Sequence, residues 1–247
     1  MADSNQMKDL LFGMDGRPYP NYRALKGPWN FGHYSVLVDR VQGDPFAAPS
    51  RVRLRVRLDF PAHASHCSVT RMATEDWFLR RFCGALPRGR RGSGKSGQLS
   101  CLRPGPEIEE RSAVCILTDG VVEFRFRMGL PARGRRILAR AAWEMFNDDL
   151  SAVVEGLQKA SGLDQHVACV QRQRDLRSQL NARGLIAFIE DGSVLPRKSG
   201  VDSAPLKDAV PFESPEALRV ELEHQGQAIK GLGVPAGVTL IVGGGFH

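Results

Sequence analysis

RVRLRVRLDF, residues 51 to 60, alternates without a break: Arg51, Arg53, Arg55 and Arg57 fall on one side, and Val52, Leu54, Val56 and Leu58 on the other. A two-residue period is that of a strand with one face in a core and the other in water. The stretch HYSVLVDRV (33 to 41) predicts a neighbouring strand, reached through Gly43, Asp44, Pro45 and Pro49, all turn or loop residues. Downstream, EIEERSAVCIL (107 to 117) and VVEFRFRMGL (121 to 130) flank Thr118, Asp119 and Gly120. Asp-Gly between β-rich runs signals a hairpin, and this pair is expected to join the same sheet.

Helices are expected around that sheet. Residues 5 to 13 predict a short amphipathic helix, followed by an ordered loop through GRPYPNYRALKGPWNFG. Residues 70 to 86 carry Met72, Trp77, Phe78, Leu79 and Phe82 at helical spacing. A helical pattern is read from Arg135 to a closing Gly162, broken near Asn147, and another from 164 to Gly184. An Asp-Gly hairpin is expected over 185 to 196, a strand over 217 to 224, and a buried strand over Val238 to Val242. The fold class is therefore α+β, a mixed or antiparallel sheet with flanking helices, with an N-terminal domain over 1 to 162 and a second over 163 to 247.

The formal charge of +7 comes from 34 basic against 27 acidic residues, and most of the bases are arginine. Arginine suits phosphate and carboxylate contacts, so an anionic partner is one reading and solvated surface the other. No apolar run is long enough to span a membrane and the N-terminus lacks a signal pattern, so a cytoplasmic or nuclear protein with no membrane partner is expected. Five cysteines without a C-x-x-C pair suggest reduced thiols. His63, His66 and Cys67 lie close together, but no second ligand pair has zinc spacing.

Two glycine-rich stretches compete for a phosphate-binding role. Residues 89 to 96, GRRGSGKS, satisfy G-x-x-x-x-G-K-[ST], with Lys95 and Ser96 in the functional slots. Yet Pro87 precedes the motif and Gly97 with two prolines follows, where a phosphate loop needs a strand before and a helix after. A flexible basic loop is the expectation. The strand over 238 to 242 feeds directly into Gly243, Gly244 and Gly245, so the context is right there, although an ordinary turn fits as well. In that register Gly243 is the first glycine and Gly244, Gly245, Phe246 and His247 fill the variable positions. The Gly, Lys and Ser or Thr that follow in the motif are not among the 247 residues.

The arginine clusters are candidates for anion contact. Four like charges along one strand face repel, and acidic cross-strand partners or a bound polyanion would offset the repulsion. Arg133, Arg135 and Arg136 stand at an expected helix start, where the dipole disfavours cations. Arg51, Arg53, Arg55, Arg57, Lys95, Arg133, Arg135, Arg136 and Arg197 are the candidate contacts to nucleic acid or another anion.

VQGDPFAAPSRVRLRV (41 to 56), GSGKSG (92 to 97), FRMGLPARGRRIL (126 to 138), GLIAFIEDGSVLPRKSGVDSAPL (184 to 206), VPFESPEAL (210 to 218) and GLGVPAGVTLIVGGGFH (231 to 247) together resemble the ABC-class ATPases, P-loop proteins distinct from ABC transporters. The resemblance implies an N-terminal α/β domain followed by the start of an ABC-type ATPase domain, cut within its nucleotide loop. It implies ATP and magnesium as cofactors of the full-length protein, with neither bound tightly by this chain, and no catalytic residue or structural metal ligand here. It implies the remainder of the ATPase domain as a partner and allows a homodimeric full-length form. It also implies that GSGKSG is a motif of the N-terminal domain and that Arg197 and Ser199 belong to a polar motif. The competing reading is a stand-alone basic module that binds RNA or DNA.

Overall fold

The computed structural model describes residues 2 to 240 and 242. They form two compact units, Met1–Val167 and Ala168–His247.

The first unit is built on a seven-stranded sheet. In chain order its strands are β1 (Ala2–Asp3), β2 (Gly27–Asn30), β3 (Tyr34–Arg40), β4 (Ser50–Arg57), β5 (Leu99–Ser100), β6 (Val114–Ile116) and β7 (Val121–Met128). They lie in the order β1-β2-β3-β4-β7-β5, with β6 also on β7. Only the β1–β2 pair is parallel. The expected joining of the two hairpin strands to the first two occurs through β4 and β7, register Leu54↔Phe124. Asp119 and Gly120 take positive φ of 58° and 71°, the backbone of the expected Asp-Gly turn. Residues 107 to 113, by contrast, carry no strand. The expected loop before residue 33 contains β2, a short strand hidden by its glycine and proline.

Alternation decides which face is buried. Val52, Leu54 and Val56 on β4 and Val122, Phe124, Phe126 and Met128 on β7 all sit in the core. Helix α1 (Ser4–Gly13) is capped by Asp3, which accepts from the Gln6 amide while Gln6 reaches back to the Asp3 amide. Helix α2 (Ser68–Ala85) lays Phe82 flat on Phe124 at 4.6 Å between ring centres, and edge-on to Phe126 at 5.5 Å.

The helix expected from Arg135 starts four residues later. Ala132–Arg133 and Arg136–Ile137 pair as strands β8 and β9, turning at Gly134 with φ 58°. Helix α3 (Ala139–Glu144) follows, its first amide donated to the Asp15 carboxylate at 2.8 Å. The expected break near Asn147 is a π turn over Met145–Asp149, leading into α4 (Leu150–Gln158). The Tyr34 hydroxyl donates to the Phe146 carbonyl at 2.8 Å, tying the π turn to β3.

Helix α5 (Leu163–Leu180) leads into the second unit and ends through a short 3-10 turn at Gly184, φ 65°. That unit contains β10 (Leu185–Glu190), β11 (Arg197–Ser199), β12 (Asp202–Pro205), β13 (Arg219–His224) and β14 (Gln227–Pro235). The order β10-β14-β13 overturns the expected local hairpin over 185 to 196. Past the Asp191-Gly192 turn the chain leaves the sheet, and the Asp191 carboxylate accepts from the Ser214 amide at 2.6 Å and hydroxyl at 3.0 Å. Gly231 explains the choice of partner, because a Cβ there would lie 2.3 Å from the Ile189 carbonyl oxygen. Val238 to Leu240 carry no strand and are exposed, as is Val242. A ladder needs a hydrogen-bonded neighbour, and among the described residues none pairs with this segment.

Candidate functional site

The polar face of the first sheet collects the arginines that alternation assigned to it. Cross-strand register sets Arg51 against Arg127, Arg53 against Arg125 and Arg55 against Glu123. On the other side of β4, an irregularity in β3 brings Arg40 opposite Arg51 and frees Asp39 to reach along the face. Asp39 accepts both Arg53 Nε at 2.8 Å and Arg53 Nη2 at 2.5 Å.

Glu123 is the hub. Its side chain is 2% exposed and receives Arg55 Nε at 2.7 Å, Arg125 Nε at 2.9 Å and Arg53 Nη1 at 3.5 Å. Burial alone would raise its carboxyl pKa. The hydrogen bonds from Arg125 and Arg55 and the charges of Arg55 and Arg53 outweigh that and hold it below the ordinary value. So the repulsion expected along residues 51 to 57 is answered by acidic partners, but only in the middle. Among the described residues, Arg40, Arg51, Arg57 and Arg127 form no ion pair. Around Arg51, Arg53, Arg125 and Arg127 lies a groove of about 840 Å³, with Ser100, Cys101 and Ser112 on its wall.

A second groove, about 410 Å³, is lined by Arg88, Arg90, Lys95, Gln98 and Leu99. The two meet at edge strand β5, whose Leu99 faces one and Ser100 the other.

The Lys95 loop is not the flexible segment its composition predicts. Ser93 N donates to Ala132 O at 2.7 Å, Lys95 N to Pro45 O at 2.8 Å and Gly97 N to Gly129 O at 2.8 Å. Ser96 is fully buried; its hydroxyl donates to Ser93 O at 2.5 Å and accepts from Ala132 N at 3.0 Å. The amides and hydroxyl that would cradle phosphate and magnesium in a Walker loop are thus spent on the protein's own backbone. Glycine is required because the chains nearly touch: a Cβ on Gly92 would lie 2.1 Å from Ala132 O. Within GSGKSG the Lys95 side chain is exposed while Ser96 is buried.

Arg133, Arg135 and Arg136 are not among the residues that line either groove. They sit in the β8–β9 turn rather than at a helix start, which removes the dipole argument. Arg135 Nε meets Asp44 at 2.8 Å and Arg136 Nη1 donates to Gly16 O at 3.0 Å. Arg197 is exposed on β11 of the second unit. His63 meets Asp164 at 3.2 Å. Gly243, Gly244, Gly245, Phe246 and His247 lie outside the described residues. Arg125 and Arg127, absent from the expected set, were legible: they share parity with Glu123 in VVEFRFRM.

The reduced-thiol expectation needs correcting at one pair, since Cys83 and Cys101 are bonded to each other. No signal foretold it, because α2 and β5 approach only through tertiary packing.

A family model described as the N-terminal part of an ATPase of the ABC class matches residues 4–159, and one described as a P-loop domain matches residues 159–247. The chain belongs to the ABC-class ATPases. In this ABC-class ATPase the N-terminal match covers strands β2 to β7 of the arginine-faced sheet, and GSGKSG falls inside it rather than in the P-loop domain. No curated protein matches the chain. Among the described residues no helix is long and apolar enough to cross a membrane.

Proposed function

We propose that this ABC-class ATPase couples magnesium-dependent ATP binding and hydrolysis to work on a nucleic acid held by its N-terminal domain. The observation that carries the nucleic-acid half is the cross-strand row Arg40, Arg51 and Arg127, three cations in register without an acidic partner. Phosphates spaced along a single strand would neutralise them and release counterions. Arg88, Arg90 and Lys95 continue the track past β5. The nucleotide half rests on the matched P-loop domain, with Gly243 to Gly245 opening the loop. These residues offer backbone amides for phosphate but no lysine and no magnesium ligand, so the 247 residues alone are expected to show no magnesium-dependent ATP turnover; turnover above a protein-free control would refute this.

The nucleic-acid half is tested by titrating a fluorescent single-stranded oligonucleotide against salt. With the six cations of this track each meeting a phosphate, log affinity should fall against log salt with a slope near −4, and R51Q/R127Q should reduce that slope by roughly 1.4. Arg53 and Arg55 are poor test positions, since they hold Asp39 and Glu123 and their loss would disturb folding. A slope near zero in the parent chain would overturn the reading.

A further inference from the structure

We propose that Cys83 and Cys101 form a reversible thiol–disulfide site, responsive to small disulfides such as oxidised glutathione, that locks the wall of the cationic groove. The two Cα atoms are 6.2 Å apart, within the span a disulfide bridges without backbone movement. Cys83 stands near the end of α2, a helix anchored in the core by Phe78 and Phe82. Cys101 follows β5 directly and lines the groove beside Arg125 and Arg127. Both cysteines are only half-buried, so a small oxidant can reach them.

The placement gives the bond something to control. Strand β5 is a two-residue edge strand, paired as Leu99↔Met128 and Ser100↔Arg127, and residues 101 to 113 beyond it carry no regular structure. The staple joins this edge of the groove to a rigid helix and closes a loop over the Lys95 segment. At Cys115 burial raises the thiol pKa and disfavours attack. In a reducing compartment, pairs of this kind are transient and sensing rather than permanent.

The exchange balances. One thiolate attacks a sulfur of glutathione disulfide, expelling one glutathione thiolate and leaving a mixed disulfide. The second cysteine's thiolate attacks the protein sulfur of that intermediate and expels the other glutathione. The protein loses two electrons and two protons, and oxidised glutathione gains them.

The control of the groove rests on the nucleic-acid reading above; the thiol chemistry does not. The full chain, reduced and then treated with glutathione disulfide, should yield a peptide cross-link between Cys83 and Cys101 by mass spectrometry. Its melting midpoint should rise by roughly 6–12 °C over the reduced form, as expected for closing a loop of this size. Cys83→Ser and Cys101→Ser should each abolish both effects. Absence of the cross-link, or a melting shift that survives in the serine variants, would overturn the site. Oligonucleotide affinity should be about fivefold higher in the oxidised form, the lower end of ordinary coupling. Equal affinity in both states would overturn control of the groove, whereas no binding in either state would refute the nucleic-acid reading and leave the thiol site to be judged by cross-link and melting.

Discussion

Asp76→Ala should destabilise the N-terminal unit by about 3–5 kcal/mol, enough to lower its melting midpoint by roughly 6–20 °C. Asp76 lies in the middle of α2, and its side chain is completely buried. It receives Arg80 Nε at 2.6 Å, Arg111 Nη1 at 2.8 Å and His166 Nε2 at 3.1 Å. One carboxylate thereby gathers its own helix, the irregular segment before β6 and the first turns of α5. Removing it leaves Arg80 with no carboxylate among the described residues and Arg111 with only the looser 3.6 Å contact to the exposed Glu109, and that uncompensated charge sets the size of the effect. Replacing the exposed Arg140, whose contact to Glu144 is a surface pair, should leave stability unchanged within error.

The same node fixes a pH dependence. Burial would raise the Asp76 pKa, but the hydrogen bonds from His166 and Arg80 and the charges behind them hold it below the ordinary value of 3.8. A carboxyl whose folded pKa is depressed contributes stability above its unfolded value and loses it as pH falls through the folded one. The contribution of Asp76 should persist from neutral pH to about pH 4 and disappear below that. Urea midpoints of the parent and Asp76→Asn chains should therefore differ at pH 7 and converge in acid. A gap that is constant with pH would contradict the assignment.

Gly129→Ala should cost about 3 kcal/mol, at the upper end of overpacking penalties. A Cβ at Gly129 would stand 1.9 Å from the Lys95 carbonyl oxygen and 2.8 Å from its carbon. Backbone cannot yield as a side chain does, so the Lys95 loop must move. Its bonds Gly97 N to Gly129 O and Gly129 N to Gln98 O, both 2.8 Å, would be strained together. Gly84 supplies the opposite sign. It lies on the exposed side of α2 with nothing within 4 Å of a Cβ, so Gly84→Ala should stabilise by roughly 0.5–1 kcal/mol. Equal effects at the two positions by thermal denaturation would show that close backbone approach is not what demands glycine at 129.

Local features of the chain were legible where one physical rule governed them. The alternation at 51 to 58 identified strand, core face and cationic face at once, because side chains on a pleated strand have no third direction to take. Asp119 and Gly120 announced their turn because few residues tolerate positive φ. Where two rules competed, the chain alone misled. The apolar spacing after Arg135 overstated the helix, since Gly134 and the β8–β9 pairing claim its first residues. GSGKSG read as flexible because its composition conceals that its amides find carbonyls at Pro45, Ala132 and Gly129.

The sequence by itself determined the α+β class, the arginine-bearing strand face and the family likeness carried by its motifs, all properties of neighbours along the chain. The tertiary structure alone decided that Glu123 neutralises the centre of the arginine face while Arg40, Arg51 and Arg127 stay uncompensated. It also decided that Cys83 meets Cys101 and that Asp76 gathers Arg80, Arg111 and His166. Charge compensation and thiol proximity depend on distances between residues remote in sequence, and those distances are set by how strands register and how a helix packs.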